Sequence, residues 1–166
     1  MTTAHWSIVD TFLGPFTAVA DSDGAVLAAG WTDDLAALLE VVSPSLRPTE
    51  PRRRNDLGEV TDAVAAYHQG DLGAVDAVPV RQSSGPFLTH AWDVLRKVPP
   101  GEPISYTAFA DLAGRPGAVR AAASACARNA AALFVPCHRI LRTDGTLGGF
   151  RWGLDLKRSL LTHETP

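Results

Sequence analysis

The apolar positions of this chain fall into two patterns that change near residue 85. Before it, short apolar runs alternate with turn residues. "HWSIVDTF" and "FTAVAD" read as two strands about a Gly14-Pro15 turn, and "GAVLAAGW" as a third after "DSDG". Leu35, Leu38, Leu39 and Val42 recur at helical spacing. "SPSLRPTEPRRRND" reads as a loop, in which Arg52, Arg53 and Arg54 form either a phosphate-binding patch or a solvated run. "LGEVTDAVAAYHQG" predicts a second helix stopped at Gly70, and "AVPVRQSSGP" a last strand running into a linker.

After residue 85 the period becomes helical throughout. Phe87, Ala91, Val94, Leu95 and Val98 lie on one face, ended by Pro99-Pro100-Gly101. "SYTAFADLAG" opens on a natural N-cap, Ser105, and closes on Gly114. "AVRAAASACARNA" comes next, giving a helix pair of helix-turn-helix proportions whose second member is slender with alanine. Asp144-Gly145 signals a hairpin turn, and "LDLKRSLLTHE" a final amphipathic helix carrying Leu156 and Leu160. The expected organisation is α+β: an N-terminal α/β domain over 1–80 with a short antiparallel sheet, a linker over 81–85, and an all-helical domain over 86–166.

Composition narrows the class. With 46% hydrophobic and 20% charged residues in 166, the chain is expected to fold rather than stay disordered. It has no run of about 18 apolar residues and no secretory pattern at its start, so a cytoplasmic location is expected. The net charge of −3 conceals an asymmetry. Residues 1–84 carry 5 Lys/Arg against 12 Asp/Glu, whereas residues 85–166 carry 10 against 6. A nucleic-acid partner is therefore open to the second half alone, since phosphate affinity depends on the local basic face.

The candidate chemistry lies in "LFVPCHRILRTDGTLGGF". Cys137 precedes His138, in a chain with only one other cysteine, Cys126. A thiol at neutral pH is mostly protonated, so a nucleophilic cysteine needs a base nearby. Adjacent residues of an extended segment face opposite ways, so a turn at Pro136 or a bridging water would have to bring the pair together. Asp144, Asp155 and Glu164 are the candidates for orienting the imidazole. A zinc site would need paired ligands that two cysteines and five scattered histidines do not provide. Taken alone, Cys137 also fits a buried small hydrophobe.

The surroundings of that motif carry a resemblance. "VPCHRI", together with "AWDVLRKVPPGEPISYTAFADLAGRPGAVRAAASACARNAAALFVPCHRIL" and "GGFRWGLDLKRSLL", resembles the O6-alkylguanine-DNA alkyltransferases of bacterial type, also called methylated-DNA–protein-cysteine methyltransferases. The likeness covers residues 86–164; residues 1–80 match only in general form. It implies a ribonuclease-H-like first domain and a winged-helix-like helix-turn-helix in the second. It implies a DNA repair protein that flips a damaged base and takes the alkyl group of O6-alkylguanine, with O4-alkylthymine a further candidate, irreversibly onto its own cysteine. The implied partner is duplex DNA, met by a monomer that can cluster on it, with no cofactor and no metal.

By the same resemblance Cys137 is the acceptor, His138 takes its proton through a water, Glu164 orients His138, and Asn129 ties the helix pair to the active-site turn. DNA contacts fall to Tyr106, Arg120, Ala121, Ser124 and Arg128, with Tyr106 aiding nucleotide rotation and Arg120 filling the space of the flipped base. The implied base pocket is lined by Tyr106, Cys126, Val135, Pro136, Ile140, Phe150, Arg151 and Trp152. In it the Arg151 amide meets the guanine O6, and the Cys137 and Ile140 carbonyls face the exocyclic amine. Four positions depart from the family: Ala130 replaces the proline after Asn129, Phe150 replaces a tyrosine, and Arg151-Trp152 is bulky where some members are small. The competing readings are a non-catalytic alkyltransferase-like lesion binder, which would lack the cysteine, and a cysteine hydrolase.

Overall fold

A computed structural model describes residues 3–166. The chain divides into two compact units, one running to Gln82 and taking in Ala130–Phe134, the other comprising Ser83–Asn129 and Val135–Pro166.

The first unit is built on a sheet of order β3-β2-β1-β4. Strands β1 (His5–Thr11), β2 (Gly14–Ala20) and β3 (Val26–Gly30) are antiparallel, as the apolar runs predict, but the first turn falls at Phe12-Leu13, and Gly14-Pro15 lies inside β2, opposite Thr11 and Asp10. The first turn closes because Gly14 takes φ +100° and the Thr11 hydroxyl donates to the Gly14 carbonyl at 2.8 Å. Every residue of β3, and Phe16–Ala20 of β2, is buried, so these strands read as continuous apolar runs rather than as alternation. Helix α1 (Leu35–Val41) packs on β3, its N-terminus capped by the Asp34 carboxylate, and α2 (Glu59–His68) packs on β1 and β2.

Two expectations for this unit need correction. Arg52-Arg53 is a short strand, β4 (Arg52–Arg53), paired parallel with β1 rather than part of a loop, so the sheet is mixed and not purely antiparallel. Arg53 stacks on the Trp6 ring at 5.1 Å, which gives this arginine a structural task. The strand expected in "AVPVRQSSGP" reduces to one parallel bridge, Val26 to Val80, flanked by Val26 N–H to Pro79 O and Arg81 N–H to Val26 O. Pro79 has no N–H to extend a ladder. Further along β3, Ala29 donates to Ala130 O and accepts from Ala132 N–H, which draws 130–134 into this unit although the sequence places it within 86–166.

The second unit holds α3 (Pro86–Leu95), α4 (Tyr106–Leu112), α5 (Val119–Ala127) and α6 (Leu154–Glu164). Helix α4 starts where expected, with the Ser105 hydroxyl accepting the Ala108 N–H at 3.0 Å. Its end turns on Gly114 at φ +88°, with Arg115 N–H reaching back to Ala110 O. Small residues let α5 lie close to α3: Ala122 and Ala125 are fully buried, and the Trp92 indole N–H donates to Ala125 O at 2.9 Å. The all-helical expectation is not met. Strands β5 (Ile104–Ser105) and β6 (Ile140–Leu141) form a two-residue parallel pair, in which Ile104 lies opposite Ile140, two β-branched positions far apart in sequence. Asp144-Gly145 makes its turn, Arg142 N–H to Thr146 O, but no second strand follows to pair back on β6 as a hairpin. No helix among the described residues is long and apolar enough to cross a membrane.

Candidate active site around Cys137

The turn at Pro136 is a single 3-10 turn, Cys137–Arg139, in which Arg139 N–H bonds Pro136 O and Ile140 N–H bonds Cys137 O. Ahead of it lies Leu133, a buried leucine at φ +74°, a conformation that costs a non-glycine residue about 1–3 kcal/mol. His138 is drawn wholly inside, while Cys137 keeps partial access to solvent.

Behind the turn sits a closed polar cluster. His138 Nε2 lies 2.8 Å from Glu164 Oε2. The same carboxylate accepts Arg139 Nε on Oε1 and Arg139 Nη2 on Oε2, both at 2.9 Å, and Arg139 Nη1 donates to Val98 O at 2.7 Å. Of the three candidate orienters only Glu164 reaches the imidazole: Asp144 accepts from Thr146, and Asp155 pairs with Arg158 at the surface. Burial alone would raise the Glu164 pKa, but the hydrogen bonds from His138 and Arg139 bring it down to about 2. Burial lowers the His138 pKa despite Glu164, so the ring is neutral at neutral pH. A neutral ring facing an ionised carboxylate must place its proton on Nε2. Nδ1 is then the basic nitrogen, and it is buried with no hydrogen-bond partner among the described residues.

Burial pushes the Cys137 thiol up, opposed by a hydrogen bond from the Asn129 side chain and by the charges of Lys157 and Arg151. Asn129, two residues beyond α5, also donates Nδ2 to Val135 O at 2.8 Å, tying the end of that helix to the approach to the turn. Burial likewise raises Cys126 well above an ordinary thiol, with Cys137 adding to the shift, so both stay protonated until activated. Tyr106 opens α4 and is half-buried; burial, then Cys126 and Cys137, push its pKa to about 12, leaving a phenol O–H donor. Its ring stands beside Gly148, where a Cβ would meet Tyr106 Cε2 at 3.4 Å.

Sequence reasoning passed over two residues here. Lys157 is fully buried, and its ammonium donates to Ile140 O at 2.8 Å, to Gly149 O at 3.3 Å and to Leu147 O. It therefore staples both ends of 140–149. Its signal was a charge on the buried face of α6, Lys157–Leu160–Glu164 at spacings of three and four. Arg139, directly after the Cys137-His138 pair, is the second.

The remaining residues divide by exposure. Val135, Pro136 and Ile140 are buried around the turn, and Phe150 and Trp152 are half-buried. Arg151 is exposed, its guanidinium donating to Ala127 O at the end of α5. The Cys137 carbonyl accepts the Ile140 N–H and the Ile140 carbonyl accepts the Lys157 ammonium. On α5, Arg120 and the C-cap Arg128 are exposed and Ala121 and Ser124 half-exposed, opposite the buried Ala122 and Ala125.

This geometry has relatives. The family model described as the DNA-binding domain of 6-O-methylguanine DNA methyltransferase matches residues 86–166. The "Bifunctional transcriptional activator/DNA repair enzyme Ada" of Escherichia coli is 36% identical over 163 residues, covering 96% of this chain and 45% of that protein, so the chain spans under half of this relative. The "Methylated-DNA--protein-cysteine methyltransferase" of Mycobacterium tuberculosis is 34% identical, covering 96% of this chain and 92% of the relative. The crystal structure of the Mycobacterium tuberculosis O6-methylguanine methyltransferase superposes with a TM-score of 0.78 at 28% identity, covering 98% of this chain and 93% of that one. A crystal structure of the same organism's OGT in complex with DNA superposes at 0.75, also at 28% identity, covering 96% and 92%. A likeness that runs through both units and covers nearly the full length of the Mycobacterium tuberculosis relative places this chain in the methylated-DNA–protein-cysteine methyltransferase family.

Proposed function

We propose that this protein repairs duplex DNA by moving the alkyl group of O6-alkylguanine onto Cys137, once per molecule. The observation that carries the reading is the state of His138. Its Nε2–H is held by the Glu164 carboxylate, and its basic Nδ1 is buried, one residue from the thiol, with no hydrogen-bond partner among the described residues. The Cys137 proton passes to Nδ1, through a water, as the sulfur attacks the alkyl carbon in line with the C–O6 bond. That bond breaks, its electron pair delocalises from the oxygen into the purine ring, and a proton taken at a ring nitrogen leaves ordinary guanine in the strand. Hydrogen bonds to the leaving oxygen, from the Arg151 amide in this reading, lower the barrier by spreading the charge that develops. The product thioether has no leaving group a hydrolase could expel, so the chain is consumed.

In the same reading the target nucleotide is flipped toward Cys137. Helix α5 presents Arg120, Ala121, Ser124 and Arg128 to the duplex, and its alanines suit a shallow minor-groove approach. Arg120 occupies the space of the extruded base, and the Tyr106 phenol supports the rotated nucleotide. Cys126, Val135, Pro136, Ile140, Phe150, Arg151 and Trp152 line the pocket. The reading also takes the first unit as ribonuclease-H-like, α4–α5 as a winged-helix-like helix-turn-helix, and the protein as a cytoplasmic monomer without a cofactor.

Titrating the protein against a fixed amount of duplex carrying O6-methylguanine tests it. Repaired strands should rise linearly and stop at one per protein. More than one repair per molecule, or none, contradicts the proposal.

A further inference from the structure

The Ala130 amide, directly after Asn129, faces a specific acceptor. Ala130 is 4% exposed, and its N–H donates to the Gln82 side-chain carbonyl at 2.9 Å, across 48 residues of sequence. Strand β3 brings the two together. Val26 bridges Val80 and accepts the Arg81 N–H, which fixes the backbone beside Gln82. Ala29, three residues on and about 10 Å away along a strand, bridges Ala131, donates to Ala130 O at 2.8 Å and accepts from Ala132 at 3.1 Å. Both backbone groups of Ala130 are thereby held, one by β3 and one by Gln82. A proline here would need no acceptor and would fix φ by its own ring. Alanine leaves a buried N–H that must be satisfied and a φ that must be set from outside.

The backbone angle at Ala130 bears directly on the active-site turn. Asn129 donates Nδ2 to Val135 O at 2.8 Å, and its side chain also hydrogen-bonds the Cys137 thiol. A change in φ at Ala130 or ψ at Asn129, the soft angles on either side of their peptide bond, would carry that side chain away from both partners. Leu133, at φ +74°, shows that the segment leading to the turn holds a strained conformation, which persists only where its surroundings over-determine it.

We infer that Gln82 is a positioning residue for alkyl transfer: through the Ala130 amide it sets the backbone that aims Asn129 at Val135 and Cys137. The inference rests on the acceptor role proposed for Cys137. It assigns to a side chain of the first unit the work a ring would do at position 130.

The test measures the single-turnover rate of transfer from duplex O6-methylguanine, and the pH dependence of Cys137 labelling by iodoacetamide, in wild type, Gln82→Ala, Gln82→Met and Gln82→Glu. Loss of the acceptor in Gln82→Ala or Gln82→Met should slow transfer about 5- to 10-fold, the scale of one buried hydrogen bond. It should also move the labelling midpoint to higher pH, because Asn129 no longer stabilises the thiolate. Gln82→Glu keeps an acceptor oxygen and should stay within about 2-fold of wild type. The Met variant keeps the side-chain volume, so it serves if the Ala variant does not fold. Transfer at the wild-type rate in a folded Ala or Met variant overturns the inference, as does slowing with an unmoved labelling midpoint. Absence of transfer in the wild type would instead sink the proposed function, so the two failures are told apart.

Discussion

Glu164, two residues from the end of the chain, meets His138 at 2.8 Å with both side chains fully buried. The same carboxylate is bidentate to Arg139, so one terminal residue fixes the tautomer of the base and neutralises a buried guanidinium. Glu164→Gln should lower the transfer rate about 100-fold, the scale of losing a tuned general base. Stability should fall by about 3 kcal/mol, because Arg139 is left buried without a counter-charge. Single-turnover kinetics and urea melts check the two arms; an unchanged rate would remove Glu164 from the account.

Acid should unfold the protein earlier than its surface charge suggests. The folded Glu164 pKa lies near 2, below the ordinary carboxylate value, so its contribution is complete above about pH 4.5 and is lost as pH falls toward 2. His138 is also depressed, so the unfolded chain binds a proton at higher pH than the folded one, and stability starts to decline below about pH 6.5. Both shifts have the same sign. Urea midpoints should be level from about pH 8 to 7 and then fall steadily; Glu164→Gln should flatten the lower part of that fall.

Lys157→Met should release 140–149. The ammonium holds the carbonyls of Ile140, Leu147 and Gly149, and a thioether of similar length supplies no donor. Amide exchange across 140–149 should speed up about 10-fold or more, and transfer should slow comparably while DNA affinity changes little. Exchange as slow as in wild type would mean that the staple is dispensable.

Arg120→Ala should weaken repair without unfolding the protein, since the side chain is exposed on α5 and bears on no core contact. About a 10-fold loss in repair rate, with an unshifted melting midpoint, is expected. An unchanged repair rate would sink the assignment of Arg120 to the flipped base's space.

Much of this site was legible in the sequence, and what was hidden was hidden for physical reasons. Short strands, the Ser105 cap and the Gly114 stop arise from local chemistry, so the order of elements was accessible. Cys137 and His138 stood out by adjacency, but only the 3-10 turn shows how His138 goes inside while the thiol keeps access. Lys157 escaped because a lysine on a helix reads as solvated; only the three carbonyls waiting for it make burial tolerable. β4 escaped because two arginines are a weak strand signal, and their pairing depends on the β1 edge. The bond from Ala130 to Gln82 could not be read at all, since it exists only where β3 aligns two distant segments.

The most direct measurement is intact mass after incubation with duplex DNA carrying O6-methylguanine, for the wild type and Cys137→Ser. The wild type should gain about 14 Da, once, mapped to the peptide holding Cys137, and the serine variant should bind the lesion without gaining mass. Binding with no mass gain in the wild type, or a gain at Cys126 instead, would contradict Cys137 as the acceptor.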